Sequence, residues 1–423
     1  MDNSIDKSKI KPIPSVLGGG CIIACACVGA GMLGLPSAGA GVWFIGSMIV
    51  LVITMLVMIT SGCLLLEALQ SYPYKSSFST LTKDLLGKKV QVVTNLTVYF
   101  VGAILLYAYI TSSGLIIQGY TSLNAKFASI LFVLCFSIPI WHSTRVVDRV
   151  SIILLTFMVL SFTFSMTGLS ANLDARVLFA LDDKDLSITD SRYVFAFIPV
   201  ALASFGYQHS VSSMRDYYLD VRKTRNALVL GVVLAFVFYT IWLFAIFGNI
   251  PRDSFTSVLA QGGNIDALLN NVRETLSDKH WLANVLSAFS AAAILSSFIA
   301  VGLGLFDFLA DAFQFDASTT KGRNQTWAVT FLPPLICSLL LPFGFLTAIG
   351  FAASAAAFWA CIIPAILVKK FRNECAATQK DNMTLYRVPG NDWTLVSVAL
   401  FGVVTIIVHL LNTFSLLPVF GQE

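Results

Sequence analysis

VGAGMLGLP, residues 28–36, breaks into an apolar run that otherwise reads as an ordinary first membrane helix. The run starts at Pro14 and continues through VLGGGCIIACAC, after which Gly29, Gly31 and Gly34 fall within six residues and Pro36 follows. In a helix interior glycine costs about 1 kcal/mol and proline about 3 kcal/mol relative to alanine. Hydrocarbon offers no water for the freed backbone groups, so irregular backbone is tolerated at that depth only where protein buries it or a cavity receives it. The stretch therefore predicts a first helix that stops and restarts inside the membrane.

Composition supports a membrane protein throughout. Of 423 residues, 57% are hydrophobic and 12% charged, and the mean hydropathy is +0.80. A soluble chain carries about 25% charged residues. Seven of the eight cysteines lie in apolar segments and only Cys375 in a polar one, which suits small packing residues better than a disulfide framework. The net charge of +4 comes from basic residues spread over many loops, so no nucleic-acid partner is expected.

A spanning helix needs about 20 mainly apolar residues. Eleven stretches qualify: 14–36, 40–70, 92–118, 127–142, 150–171, 193–214, 227–248, 282–312, 326–342, 345–369 and 393–411. Lysine and arginine set the orientation. With the N-terminus cytoplasmic, the inside loops hold 20 of the 27 basic residues and the outside loops 7, so the C-terminus is expected outside.

In secondary transporters, discontinuous helices offer unpaired backbone groups to a substrate near the midplane, and an inverted second repeat offers them again. A second break is therefore expected about five spans after the first. Span six, AFIPVALASFGYQHSVSSM, has Pro199 early and Gly206 near its middle, with Ser204, Gln208, His209 and Ser210 around it. Spans an odd number apart cross in opposite directions. The expected fold is thus all-α and polytopic, a single transmembrane domain over 1–423. Its first repeat is 13–171 and its second 193–371, with helices 1 and 6 broken and 393–411 an extra helix. Small-residue packing faces are the alternative for each glycine cluster taken alone.

At these residues the chain resembles the bacterial aromatic amino acid permeases, carriers of tryptophan and tyrosine within the leucine-transporter fold. The likeness runs through VGAGMLGLP, SGCLLLEAL, YPYKSSFSTLTKDLLG, LLYAYI, SFGYQHSVSSM, SSFIAVGLGLFDFLADAF, TAIGF and WACIIPAIL, in that order. The tyrosine-specific permeases look nearest. The resemblance implies an inner-membrane symporter importing an aromatic amino acid, tyrosine foremost and tryptophan next, with no cofactor beyond a coupling ion. A carrier of other neutral amino acids, or a channel, is the alternative.

The resemblance also implies that backbone N–H groups at Gly29, Ala30 and Gly31 hold the substrate carboxylate, and that carbonyls near Ser204 and Phe205 face its ammonium. Half-helix ends suit both charges without burying an ionised side chain. Aromatic recognition needs flat apolar walls and a polar handle. Tyr107, Phe205 and Tyr207 beside Gly206 are the expected walls, with Trp359 a further candidate. The family pattern in span six runs nearer SFGFHG followed by VPS, so Gln208 stands in the histidine's place and Ser212 in the proline's. His209, offset by one residue and about 100° of helix, inherits no role.

The coupling ion is expected to be a proton or sodium. Ala293, Ser296 and Ser297 resemble the sodium-site pattern of this fold, in which span-eight oxygens meet carbonyls of the broken span one. Proton-coupled relatives often carry a lysine on span five, where this chain has Met158. Few ionisable residues lie in the spans; Glu67, Asp307 and Asp311, each near a span end, are gating or structural candidates. A membrane enzyme is disfavoured, because His142, His209, His280 and His409 share no ligand spacing and neither G-x-S-x-G nor H-E-x-x-H occurs.

Overall fold

The computed structural model describes residues 15–74, 76–142, 144–171, 173–181, 191–275, 280–316, 319–341, 344–377 and 386–421. Residues 13 and 14, where the first repeat and span are expected to begin, lie outside them, as does residue 342 at the expected end of span nine. The first apolar run folds as α1 (Val16–Cys27), α2 (Ala30–Leu33) and α3 (Leu35–Gly39). Next come α4 (Trp43–Leu69), the short α5 (Phe78–Leu86), α6 (Lys88–Tyr120), α7 (Ala125–His142) and α8 (Thr144–Ser170). After α9 (Ala175–Leu178) the second interrupted run forms α10 (Val194–Ser204) and α11 (Val211–Tyr218), and α12 (Val221–Phe247) follows. The short α13 (Phe255–Ala260) and α14 (Ile265–Thr275) lead into α15 (His280–Ala312) and α16 (Thr320–Leu340). The chain closes with α17 (Phe345–Ala357), α18 (Ile363–Ala377) and α19 (Asn391–Thr413). Among the described residues there is no β-strand.

Among these residues nine helices are long and apolar enough to cross a membrane, and the bent pair Val16–Cys27 and Gly31–Gly39, 59° between its halves, makes a tenth. Ten spans are thus counted among the described residues, one fewer than the eleven expected. Segment 326–342 does form a helix within the 21-residue α16, but not an apolar span. Lys321, Arg323, Asn324 and Gln325 fill its opening turns, and Pro333 and Pro334 sit farther along.

Local chemistry sets the helix ends. Ser15 caps α1 by accepting from Gly18 N–H at 3.0 Å, and Ser77 caps α5 by accepting from Thr80 N–H at 3.1 Å. Between α11 and α12, Leu219 adopts a left-handed conformation at φ 52°, and Asp220 then caps α12 by accepting from Lys223 N–H at 3.0 Å. One π-helical turn, Phe358–Ile362, joins α17 to α18, and the Ser61 hydroxyl on α4 donates to its Ala360 carbonyl.

Packing gathers the interrupted helices in the interior. α1 lies along α12, α15 packs against α8 and α6, and α17 packs against α6 and α10. Large apolar side chains such as Leu17, Leu96, Ile152, Ile153 and Phe164 face outward, as a lipid-facing surface requires. The approach of α1 to α12 depends on glycine: a Cβ on Gly231 would stand 2.6 Å from the Gly20 carbonyl oxygen and 2.4 Å from Ile23 Cβ. Gly231→Leu is therefore expected to lower stability by about 1–3 kcal/mol through overpacking, despite leucine's better helix propensity. Thermal unfolding of the purified protein in detergent tests this; an unchanged midpoint would mean that the two helices are free to separate.

Candidate functional site

The first break spans two residues. Val28 N–H still reaches Ala24 carbonyl at 2.7 Å, then Gly29 is extended, and the next turn is closed by Met32 N–H on Gly29 carbonyl at 3.1 Å. The second break follows Ser204. Phe205 N–H bonds Leu202 carbonyl at 3.1 Å and Gly206 N–H bonds Ala203 carbonyl at 3.3 Å, after which a 3-10 turn, Gln208–Ser210, restarts the helix. The two breaks abut. A Cβ on Gly31 would stand 3.6 Å from Ser204 Cα, an ordinary contact.

Three more helices complete the surround. On α15, Ser297 lies against the first break: a Cβ on Gly29 would come within 2.5 Å of its hydroxyl oxygen. On α6, the Tyr109 hydroxyl is hydrogen-bonded to Ser297. On α12, the Tyr239 hydroxyl lies within hydrogen-bonding distance of the Cys27 carbonyl, at 2.9 Å, and of the Ser204 carbonyl, the last residues of α1 and α10, and can donate its proton to one of them at a time. Phe205 is fully buried and meets the Tyr239 ring edge-on, with centroids 5.0 Å apart.

Not every residue singled out in the sequence reaches this place. Tyr107 is buried, but its hydroxyl donates to Leu341 carbonyl at 2.7 Å, at the end of α16. Its neighbour Tyr109, two residues on and across the helix, is the tyrosine at the break. Tyr207 points the other way, into α4, donating to Met58 carbonyl at 3.0 Å; a Cβ on Gly62 would collide with its hydroxyl. Gln208 is buried behind it and accepts from Tyr207 N–H at 3.1 Å, while His209 is exposed. Trp359 lies in the π-helical turn and meets Phe78 of α5 edge-on.

Of the three span-eight positions, Ala293 and Ser296 are joined to each other and only Ser297 turns to the first break. Ser296 donates to Ala293 carbonyl at 3.0 Å and has Met158 sulfur 4.0 Å away on α8, whereas Ser297 faces Gly29. Successive helical residues point about 100° apart, so two adjacent serines on a straight helix face different neighbours. Among the described residues no cluster of three or more His, Cys, Asp or Glu has metal-binding geometry.

The gating candidates lie away from the breaks. Glu67 on α4 is buried in a two-pronged ion pair with Arg372 of α18, at 2.7 and 2.9 Å, and also accepts from Val388 N–H at 2.7 Å. This arrangement fastens the segment before α19 to the helix body. Asp307 and Asp311 are exposed near the end of α15.

Both broken runs are also tied at their far ends. The Tyr218 hydroxyl on α11 donates to Ser15 carbonyl at 2.6 Å and accepts from Gly19 N–H at 3.1 Å. At the opposite end, buried Arg252 donates to Ala40 carbonyl at 3.1 Å and to Gly41 carbonyl, with its guanidinium near the Trp43 and Phe420 rings. Beside the outer parts of α3 and α10 lies a cavity of about 200 Å³, lined in part by Ser37, Pro199, Val200, Gly350 and His409.

The chain is similar to known proteins along nearly its whole length. The tryptophan/tyrosine permease family model matches residues 12–409. A tryptophan-specific transport protein of Haemophilus influenzae is 42% identical over 411 residues, covering 94% of this chain and 96% of its own. A tryptophan-specific transport protein of Pseudomonas aeruginosa is 41% identical, with 96% of each chain covered. A tyrosine permease of Enterobacter agglomerans is 32% identical, covering 97% of this chain and 99% of its own. The expected closer likeness to tyrosine-specific permeases is thus corrected: the tryptophan-specific relatives are more similar.

Gly29 leaves no room for a side chain while Ser297 keeps its hydroxyl. Gly29→Ala is expected to reduce amino-acid uptake by about tenfold or more, the fold-change to which overpacking of about 1–3 kcal/mol at the break corresponds. Combining it with Ser297→Ala removes the colliding atom, so the double variant is expected to lose less than the product of the two single effects. A double variant no better than the product of the two single effects would show that Gly29 and Ser297 do not meet.

Proposed function

We infer the function from the family: this chain belongs to the tryptophan/tyrosine permease family. We propose that it is a secondary active transporter that imports an aromatic amino acid across a bacterial inner membrane in symport with a cation. The observation that carries this reading is the meeting of two interrupted helices, Gly31 beside Ser204, with one buried hydroxyl on a freed carbonyl from each. A zwitterion fits such a place, since one half-helix start offers N–H groups and two half-helix ends offer carbonyls.

In this reading the carboxylate meets the N–H groups of Gly29, Ala30 and Gly31, and the ammonium meets the carbonyl ends at Cys27 and Ser204. Phe205 and Tyr109 supply aromatic walls, with Gly206 keeping the second break open. Tryptophan is the proposed principal substrate, because the tryptophan-specific relatives share about ten more identical residues per hundred than the tyrosine permease. The repeat is proposed as five plus five, with α16 crossing as the ninth helix in the shelter of α6, α7 and α15 and α19 as the extra helix. The twenty-to-seven distribution of basic residues supports a cytoplasmic N-terminus and an external C-terminus. Ser297, beside Gly29, is the proposed span-eight contribution to cation coupling; sodium and the proton are the two candidate ions.

Proteoliposomes test all of this at once. Uptake of labelled tryptophan is expected to saturate, to be stimulated by tryptophan loaded on the far side, and to be competed by tyrosine and phenylalanine far better than by leucine or alanine. A pocket sized for a ring leaves small side chains without contacts. Uptake that never saturates would indicate a channel, and equal competition by alanine would remove the aromatic assignment. Imposing a sodium gradient at fixed pH, and a pH gradient in potassium, separates the coupling ions. Accumulation under neither gradient would overturn symport.

A further inference from the structure

Tyr239 sits on α12, a helix that sequence reading gave no part in the site, yet its hydroxyl joins the two breaks. It is fully buried. Cys27 ends α1 and Ser204 ends α10, and the residues four places on, Gly31 and Gln208, lie beyond the interruptions. Neither carbonyl is used by its own helix, so both need a donor from elsewhere. Both converge on one oxygen atom, the Tyr239 hydroxyl.

A tyrosine hydroxyl has one proton and two lone pairs. It satisfies one of the two carbonyls at a time, and the other keeps its acceptor capacity in a buried place of low dielectric. A group with several N–H donors and a positive charge satisfies both at once and donates to the tyrosine oxygen as well. A primary ammonium has three such donors. Secondary and tertiary amines, which have fewer, match less well, and a neutral acid lacking the amine does not match at all.

We propose that Tyr239 is a positioning and specificity-determining residue: its hydroxyl holds the Cys27 and Ser204 carbonyls at the spacing that recognises a primary ammonium. Placement of the residue supports this. The tight Gly20–Gly231 approach fixes α12 on α1, and Tyr239 lies eight residues farther along the same helix, about two turns, opposite the end of α1. The Phe205 ring packs against its ring edge-on and holds it in place from the α10 side. The proposal rests on the amino-acid carrier reading above.

The test uses Tyr239→Phe, which keeps the ring and its packing and removes only the hydroxyl. Wild type and variant are compared in proteoliposomes for tryptophan uptake and for its inhibition by indole-3-propionate, the same skeleton without the amine. Losing a charge-assisted hydrogen-bond arrangement is expected to raise KM for tryptophan about tenfold, with kcat largely kept and inhibition by indole-3-propionate unchanged. An unchanged KM, or equal weakening of both ligands, would overturn the assignment. If indole-3-propionate inhibits neither protein, the split decides: raised KM supports the role, and lowered kcat alone refutes it.

Thermal unfolding provides a readout independent of transport. Tryptophan is expected to raise the midpoint of the wild type and to raise that of Tyr239→Phe much less at the same concentration. A variant with a lower midpoint but an undiminished tryptophan shift would mark Tyr239 as merely structural. Failure of the wild type to bind or carry tryptophan or tyrosine would instead defeat the carrier reading. A normal wild type with an unaltered variant defeats only the role of Tyr239.

Discussion

A carbonyl oxygen inside a bilayer must find a donor, and each interruption of a helix frees several. That constraint organises this protein. Two helices stop in its interior, and the last carbonyls of both converge on the same tyrosine hydroxyl on a third helix, whose single proton serves one of them at a time. Breaks of this kind have no place on a lipid-facing surface, where no partner exists. Their burial among α6, α12 and α15 is therefore a condition of stability, and it places polar backbone groups in the interior without burying an ionised side chain beside them.

The same economy governs the far ends of the broken runs. Tyr218 engages the backbone of Ser15 and Gly19, and Arg252 engages that of Ala40 and Gly41. Arg215 reaches the carbonyls of Tyr72 and Pro73 from α11 in a similar way. These are side-chain to backbone bonds, which can be exchanged for water as a segment moves. By contrast, the buried Glu67–Arg372 pair joins α4 to α18 and the segment leading to α19, at a distance from the broken helices. A buried pair is costly to open, which suits a part of the fold that stays assembled.

Much of this was legible in the sequence. Gly29, Gly31, Gly34 and Pro36 predict the first interruption by their helix cost alone, and the structure breaks there. The second, at Ser204–Gly206, is marked by the polar run that follows it. What the sequence hid depends on rotation about helix axes. Tyr107 and Tyr109 are equally plausible in LLYAYI, and only the facing of α6 decides which reaches Ser297. Ser296 and Ser297 read as a pair but serve different neighbours, for the same reason. Tyr239 was overlooked because the stretch AFVFYTIWLF is apolar throughout, although a tyrosine buried in such a run usually needs a hydrogen-bond partner for its hydroxyl. Segment 326–342 reads as a span by its apolar stretch and does fold as a helix, but the polar opening of α16 and its two prolines keep that helix below the hydropathy of its neighbours.

The close seating of Gly20 on Gly231 has a mechanical consequence. With Gly231 seated directly on the Gly20 carbonyl and Ile23, α1 and α12 have little freedom to shift against each other. Any displacement of α1 against α10 would therefore strain the Tyr239 contact to Ser204, which belongs to α10, before the contact to Cys27. The seating of α12 on α1 at Gly231 and Gly20 thus sets, two turns away, which of the two breaks Tyr239 is held to.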